Sequence, residues 1–476
     1  MPWQERLGAL DAAFLYLEGR TAHMHVGALC LFEGPPPTHA ELTRHVEARL
    51  PSVPRYRQRL APVPFALSRP VWVDDAKFDL EYHLRRTALP APGGDAELKR
   101  LTSRLFAQRL DRDKPLWELW CVEGLEEGRF ALVSKTHHCM VDGISGVDIA
   151  TVLLDPSRKV PPSAPPEPWR AREAPSTVSL MTDGLAYQLT HPLEVARQAL
   201  AGGAEARRAL GEIALGALPI LKLLGMGLAP ESSLNRPIGP HRRFETARLP
   251  LDRVRRVKTA FEATVNDVVL AVVTGALRAL LLERGDRLTA DLRALVPVSV
   301  RSPDARHTLG NQVTAVFCPL PVGEADPRRR LEQVRTSMEG LKATRQAVGG
   351  LALTQLGDFA PPTLAAQAAR LQPFARFFNL VVTNVPGPQH PLFLLGRRMR
   401  ECYPAVPLAA NQTLCIGLLS YDGTIGVGLL GDADQARDLR TLAAALTVAL
   451  DELEATLTPP RGARKREGVR RARRRA

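Results

Sequence analysis

Lys135-Thr136-His137-His138-Cys139-Met140-Val141-Asp142-Gly143 is the stretch of this 476-residue chain whose residue types and spacing best suit chemistry. Two adjacent imidazoles precede a carboxylate and a glycine. A neutral imidazole, with an unperturbed pKa of about 6.5, can take a proton from a hydroxyl at neutral pH and return it to a leaving group. Asp142 stands four residues after His138, where a carboxylate can brace the loop through an arginine, and Gly143 permits a sharp turn behind it. Two other readings stay open on the residues alone. Neighbouring histidines on a strand point to opposite faces and are poorly placed to share one metal ion. No His-x-x-x-His pair or His/Asp cluster adds ligands, so no metal is expected. Histidines with a purely structural role are the commoner case for such a pair standing alone.

The elements that must position this motif can be read from the apolar pattern. Phe130 to Thr136 reads as a strand, which puts both histidines at a strand end, where α/β proteins place reactive groups. Leu116 to Val122 reads as its neighbour across the polar turn Glu123 to Arg129. His23 to Phe32 is a third strand. Ala40 to Leu50 and Glu97 to Leu110 have helical spacing, and Gly146 to Leu154 reads as a short helix after the motif. Seven prolines between Pro156 and Pro175 resist helix and sheet alike and mark a linker. Residues 176–230 are helical in pattern. A second α/β unit follows, in which Thr264 N-caps a long apolar helix running to Gly285. Leu295 to Val300, Gln312 to Leu320 and Leu380 to Asn384 read as strands. Thr413 to Ser420 and Thr424 to Leu430 flank the hairpin turn Asp422-Gly423, and a helix from Ala436 to Ala455 closes the unit. The expected division is therefore 1–155, a Pro-rich linker and helical crossover over 156–240, a second domain over 241–458, and a tail over 459–476.

Composition bounds what such a chain does. Apolar residues make up 45% and charged residues 24%, enough apolar material for sizeable cores and against wholesale disorder. The net charge of +13 is concentrated: nine Lys/Arg and one Glu from Arg461 onward give the tail +8 and leave +5 for the rest. That tail is expected to be disordered and suited to anionic lipid, with no specific nucleic-acid partner. None of the six cysteines forms a Cys-x-x-Cys pair, so buried reduced thiols are expected. Glu5, Arg6, Asp11 and Glu18 interrupt any leader-like run. Ile213 to Ala229 reads as a core or membrane-surface helix, and no span is expected.

His-His-x-x-x-Asp-Gly is also the shared motif of the coenzyme-A-dependent acyltransferase superfamily. Within it, the chain resembles the bacterial wax ester synthase/diacylglycerol acyltransferase family from about residue 8 to 456. The resemblance is carried by Leu10-Asp11-Ala12-Ala13-Phe14, Met24-His25-Val26-Gly27, Pro115-Leu116-Trp117, Leu234-Asn235-Arg236-Pro237-Ile238-Gly239-Pro240, Thr264-Val265-Asn266-Asp267-Val268-Val269, Pro297-Val298-Ser299-Val300-Arg301, Gly310-Asn311 and Asn384-Val385-Pro386-Gly387-Pro388, in that order. Ala409-Ala410-Asn411-Gln412 departs from it, where members often carry a glycine-containing turn, and the basic tail lies outside the pattern.

The resemblance implies a two-domain α/β fold with mixed sheets, flanking helices and a channel between the domains. It implies His138 as general base, His137 as its support, Asp142 as a structural carboxylate and Arg301 as the partner of Asp142. Asn266 and Asp267 open a helix whose N-terminus suits a developing oxyanion, although capping explains them equally well. Pro115, Leu116 and Trp117 are candidates for an acyl tunnel, with core packing slightly favoured. The implied substrates are acyl-CoA and diacylglycerol or a fatty alcohol, without a cofactor, at the cytosolic membrane face or a lipid droplet. The rival expectations are a condensation-type enzyme fed by acyl-carrier protein and a non-catalytic lipid-surface protein.

Overall fold

The computed structural model describes residues 5–140, 152–159, 169–201, 227–299, 313–343 and 376–457. Asp142, Gly143 and Arg301 lie outside these residues, as do most of the Gly146–Leu154 and Ile213–Ala229 segments and the basic tail. In chain order the strands are β1 (His25–Phe32), β2 (Gln58–Ala61), β3 (Val71–Asp74), β4 (Leu84–Ala88), β5 (Trp117–Glu123), β6 (Phe130–His137), β7 (Arg242–Pro250), β8 (Leu292–Ser299), β9 (Val313–Leu320), β10 (Leu380–Pro386), β11 (Phe393–Leu394), β12 (Arg397–Ala405), β13 (Leu414–Tyr421) and β14 (Thr424–Asp432). They form two six-stranded mixed sheets, ordered β11-β12-β1-β6-β5-β4 and β7-β14-β13-β10-β8-β9, and a small β2-β3 ribbon.

In the first sheet, alternate side chains enter opposite cores, as the pleat requires. Cys30, Phe32, Phe130 and Leu132 pack with Leu42, Val46, Trp72 and Trp117. Leu29, Leu31, Ala131 and Val133 pack on the other face with Leu98, Leu101, Leu105 and Phe106 of the helix Asp95–Ala107. Burial on both faces explains the unbroken apolar run Phe130 to Val133 that opens β6.

The second sheet packs against one large apolar cluster. Its centre is the helix Val265–Glu283, set by a full capping box in which the Thr264 side chain accepts from the Asp267 N–H and the Asp267 carboxylate accepts from the Thr264 N–H. Among the described residues this is the helix long and apolar enough to cross a membrane, but most of its span is buried in the core. Leu442, Leu446 and Leu450 of the closing helix Leu439–Ala455 belong to the same cluster. The hairpin falls where the sequence puts it: Asp422 and Gly423 both take positive φ, 43° and 79°, between the paired residues Tyr421 and Thr424.

The linear division at residue 241 needs an amendment. Phe393 to Ala405 leaves the second unit and joins the first sheet, where β12 runs antiparallel to β1 with Gly27 opposite Ala405 and Cys30 opposite Cys402. The arginine-rich strand Arg-Arg-Met-Arg-Glu-Cys-Tyr-Pro-Ala gives little sign of this, and its partner lies 372 residues earlier in the chain. Where β12 crosses the second sheet, that sheet carries Gly426 and Gly428. A Cβ on either would fall inside the carbonyl oxygens of Cys402 and Pro404, so the close approach of the two layers depends on both glycines. Arg398–Asp422 and Arg248–Glu401, each at 2.7 Å, tie the same seam at its edges.

Candidate active site

β6 carries the histidine pair to the rim of the first sheet. The strand ends at His137, and His138 opens the single 3₁₀ turn His138–Met140. The His138 N–H donates to Met24 O at 2.8 Å, and the His137 N–H donates to Leu116 O at 2.9 Å, so neighbouring chain on both sides fixes the break in direction. The two imidazoles part as strand geometry requires. His137 is 1% exposed, whereas His138 is only partly covered. The His138 ring stacks on Phe14 at 3.8 Å, and Phe14 belongs to the helix Ala9–Leu17.

Behind the pair lies a buried polar cluster. Glu18 caps the C-terminus of the helix Ala9–Leu17, and its side chain is 1% exposed. Its Oε2 accepts from Arg112 Nε at 2.8 Å and Arg109 Nη2 at 3.2 Å, and lies 4.0 Å from His137 Nε2. Its Oε1 lies 3.5 Å from His25 Nε2 and 3.9 Å from His23 Nδ1. His25 stands directly opposite His137 in the β1–β6 ladder, with the rings edge to face at 6.0 Å. Burial lowers the pKa of His137 to about 3 and that of His23 to about 4, so both are neutral at pH 7. Burial alone would raise the Glu18 pKa, but the His25 contact and the Arg112 charge outweigh it and hold the group below its ordinary range.

The remaining sequence candidates fall in two places. Pro115, Leu116 and Trp117 are buried in the first core. There Trp117 Nε1 donates to Tyr56 O at 2.8 Å, its ring stacks on His83 at 4.6 Å, and its carbonyl pairs with His83 Nδ1 at 2.8 Å. Asn266 and Asp267 lie in the second lobe. Asp267 is buried and engaged in the capping box, while partly covered Asn266 accepts from Asn384 Nδ2 at 3.3 Å. Two fragments that carried the family resemblance, 118 residues apart in the chain, thus meet. Glu18, Arg112, His23 and His25 carry no site role in the sequence reading, where His25 appears only in a resemblance fragment and Glu18 only as a charge near the start. The available signal was Phe14 and Glu18 at a one-turn spacing, just ahead of Met24-His25.

Solved structures place this architecture among acyltransferases. The first condensation domain of the calcium-dependent antibiotic synthetase matches with a TM-score of 0.58 over 96% of this chain and 97% of that one, at 19% identity, which speaks to the fold alone. The wax ester synthase/diacylglycerol acyltransferase of Marinobacter aquaeolei VT8 matches with a TM-score of 0.66 and 30% identity, over 95% of this chain and 100% of that one. Among sequence relatives, the probable diacylglycerol O-acyltransferase tgs1 of Mycobacterium tuberculosis is 36% identical over 94% of this chain and 96% of its own length. The probable diacylglycerol O-acyltransferase tgs2 of the same organism is 37% identical over 93% and 97%. The wax ester synthase/diacylglycerol acyltransferase catalytic-domain model matches residues 7–269, and the WS/DGAT C-terminal-domain model matches 309–454. The chain belongs to the wax ester synthase/diacylglycerol acyltransferase family and is an acyltransferase.

Proposed function

We propose that the enzyme transfers a long-chain fatty acyl group from acyl-CoA to the hydroxyl of diacylglycerol or a fatty alcohol, with His138 as the general base. The observation that carries this reading is the division of the histidine pair: His137 is buried, while His138 is partly open at the strand end. The His138 imidazole removes the acceptor's hydroxyl proton as its oxygen attacks the thioester carbonyl carbon. The new C–O ester bond forms, the C–S bond breaks, and the imidazolium returns the proton to the departing coenzyme A thiolate. The base is regenerated, with no acyl-enzyme intermediate and no cofactor.

Asn266 is a candidate substrate contact, since Asp267 is committed to capping. Asp142 and Arg301 keep the bracing role that the family resemblance suggests. Because both acceptors are water-insoluble, the work is assigned to a lipid surface, either the cytosolic membrane face or a lipid droplet. There the +8 tail from Arg461 onward adds attraction to anionic headgroups.

The test is thiol release together with resolved lipid products, using long-chain acyl-CoA with diacylglycerol and fatty alcohol offered together. His138→Ala is expected to lower turnover by about 10²–10⁴-fold, the usual worth of general acid–base catalysis, while keeping the thermal melt. Near-normal turnover in that variant would overturn the assignment. A preference for acyl-carrier protein over acyl-CoA would favour the condensation-type reading instead.

A further inference from the structure

Several buried ionisable groups lie outside the scheme above. Lys135 pairs with Glu118 and two helix-end carbonyls inside the first core, and Arg49 pairs with Asp155 near its edge. Both arrangements join structural elements and approach no reacting group. The cluster around Glu18 is different, because it touches the turn that carries His138.

The geometry fixes the protonation pattern of His137. The Cys139 N–H points at His137 Nδ1 from 3.2 Å, so that nitrogen is the acceptor. A neutral imidazole carries one proton, which must then sit on Nε2. That Nε2–H is buried without a hydrogen-bond partner among the described residues, and the nearest carboxylate oxygen is Glu18 Oε2 at 4.0 Å, close enough for charge attraction but not for a hydrogen bond; Arg112 and Arg109 hold the same carboxylate. His25 lies beside them, its Nε2 3.5 Å from Glu18 Oε1 and accepting from the Leu110 N–H at 3.4 Å. Among the described residues, no three of these groups are placed to hold a metal ion in common. The Cys139 N–H lies within the 3₁₀ turn that His138 opens. The ring of His137 thus bonds that turn through one nitrogen and turns the other toward the carboxylate. The helix that delivers Glu18 also delivers Phe14 onto the His138 ring.

We infer that Glu18 is a positioning residue for acyl transfer: held by Arg112, its charge favours the Nε2–H tautomer of His137 that the Cys139 N–H requires, and His137 in turn holds the turn bearing His138. It does not touch substrate. A histidine is commonly oriented in this way by a carboxylate facing its second ring nitrogen. The ion pair with Arg112 makes a carboxylate tolerable at this depth, since an unpaired one would be costly.

This inference rests on His138 being the base, and the experiment separates the two claims. Full-length enzyme is assayed for kcat and for KM toward a long-chain acyl-CoA, with a thermal melt for each variant. Glu18→Gln keeps the size and removes the charge. His137→Asn keeps an acceptor for the Cys139 N–H and loses the Nε2–H. Each is expected to lower kcat about 10–100-fold, the range seen when a histidine loses its outer partner, with KM within about twofold. The double variant is expected to be no worse than the weaker single one, because both changes act through the His137 ring. Glu18→Asp is expected to recover part of the lost kcat.

Unchanged kcat in Glu18→Gln, or losses that multiply in the double variant, would overturn the inference. Should Glu18→Gln fail to fold, Glu18→Asp carries the test: kcat down at least about fivefold with an unchanged melt supports it, and unchanged kcat overturns it. His138→Ala in the same assay tells the claims apart. If His138→Ala is inactive while Glu18→Gln is fully active, only the role of Glu18 falls. If His138→Ala turns over normally, the base assignment falls and this inference with it.

Discussion

The two lobes bury different kinds of side chain. Around the first sheet, His23, His25, His45, His83, His137, Glu118 and Lys135 are all buried. Around the second, the main cluster is aliphatic, and among the described residues no histidine is buried there. Burying ionisable groups costs stability unless each finds a partner. Among its described residues, the second lobe's buried charges Arg242, Asp267, Arg330 and Asp432 lie outside the aliphatic cluster. The first accepts that cost in the region that carries the histidine motif.

The largest effect that would sharpen this contrast is expected at Lys135, which is 0% exposed. Lys135→Met should cost about 3–5 kcal/mol in urea unfolding, because Glu118 loses its closest charge inside the core. Adding Glu118→Leu should recover most of the loss. If the single change were neutral, buried charge in the first lobe would be less demanding than the contrast requires.

Acid should come next. Burial depresses the folded-state pKa of His23 and His83 to about 4 and that of His137 to about 3, against about 6.5 unfolded. The unfolded chain therefore binds more protons across that window. The stability due to these groups is complete above about pH 6.5 and is lost as pH falls toward 4. Glu18, also depressed, adds loss in the same direction below about pH 4.5. All five tryptophans, Trp3, Trp72, Trp117, Trp120 and Trp169, precede the second lobe, so their fluorescence follows the first one. Their thermal transition should drop between pH 7 and pH 5, and a flat profile would break the contrast.

The smallest effect is expected in the second lobe. Thr264→Ala removes the side-chain half of the capping box and should cost about 1 kcal/mol in the same urea assay, with no new pH dependence.

What could be read from the sequence followed the range of the interactions involved. Thr264 and Asp267 are three residues apart, and Asp422-Gly423 is a two-residue turn, so local rules sufficed for both. The histidine motif could be placed because β6 opens with the apolar run Phe130 to Val133 and stops at His137. β7 was missed because Arg-Arg-Phe-Glu-Thr-Ala-Arg lies at an edge and exposes polar side chains. β12 was missed because nothing near Arg397 announces β1. Glu18 went unassigned for a related reason: an isolated carboxylate after a short helix acquires meaning only when Arg112 and His137 arrive from distant strands and loops.

The placement of β12 also sets a timetable for synthesis. A chain emerging from the ribosome can build the helix Asp95–Ala107 and pair β1 with β6 early, but the other edge of β1 stays open until Ala405 has been made. An uncovered apolar strand edge is a template for pairing with other chains. Nearly the whole polypeptide must therefore be completed before the first sheet is sealed, and contacts of such high sequence separation form slowly. The open edge of β1 is thus exposed over most of translation, from the making of the histidine motif until β12 arrives.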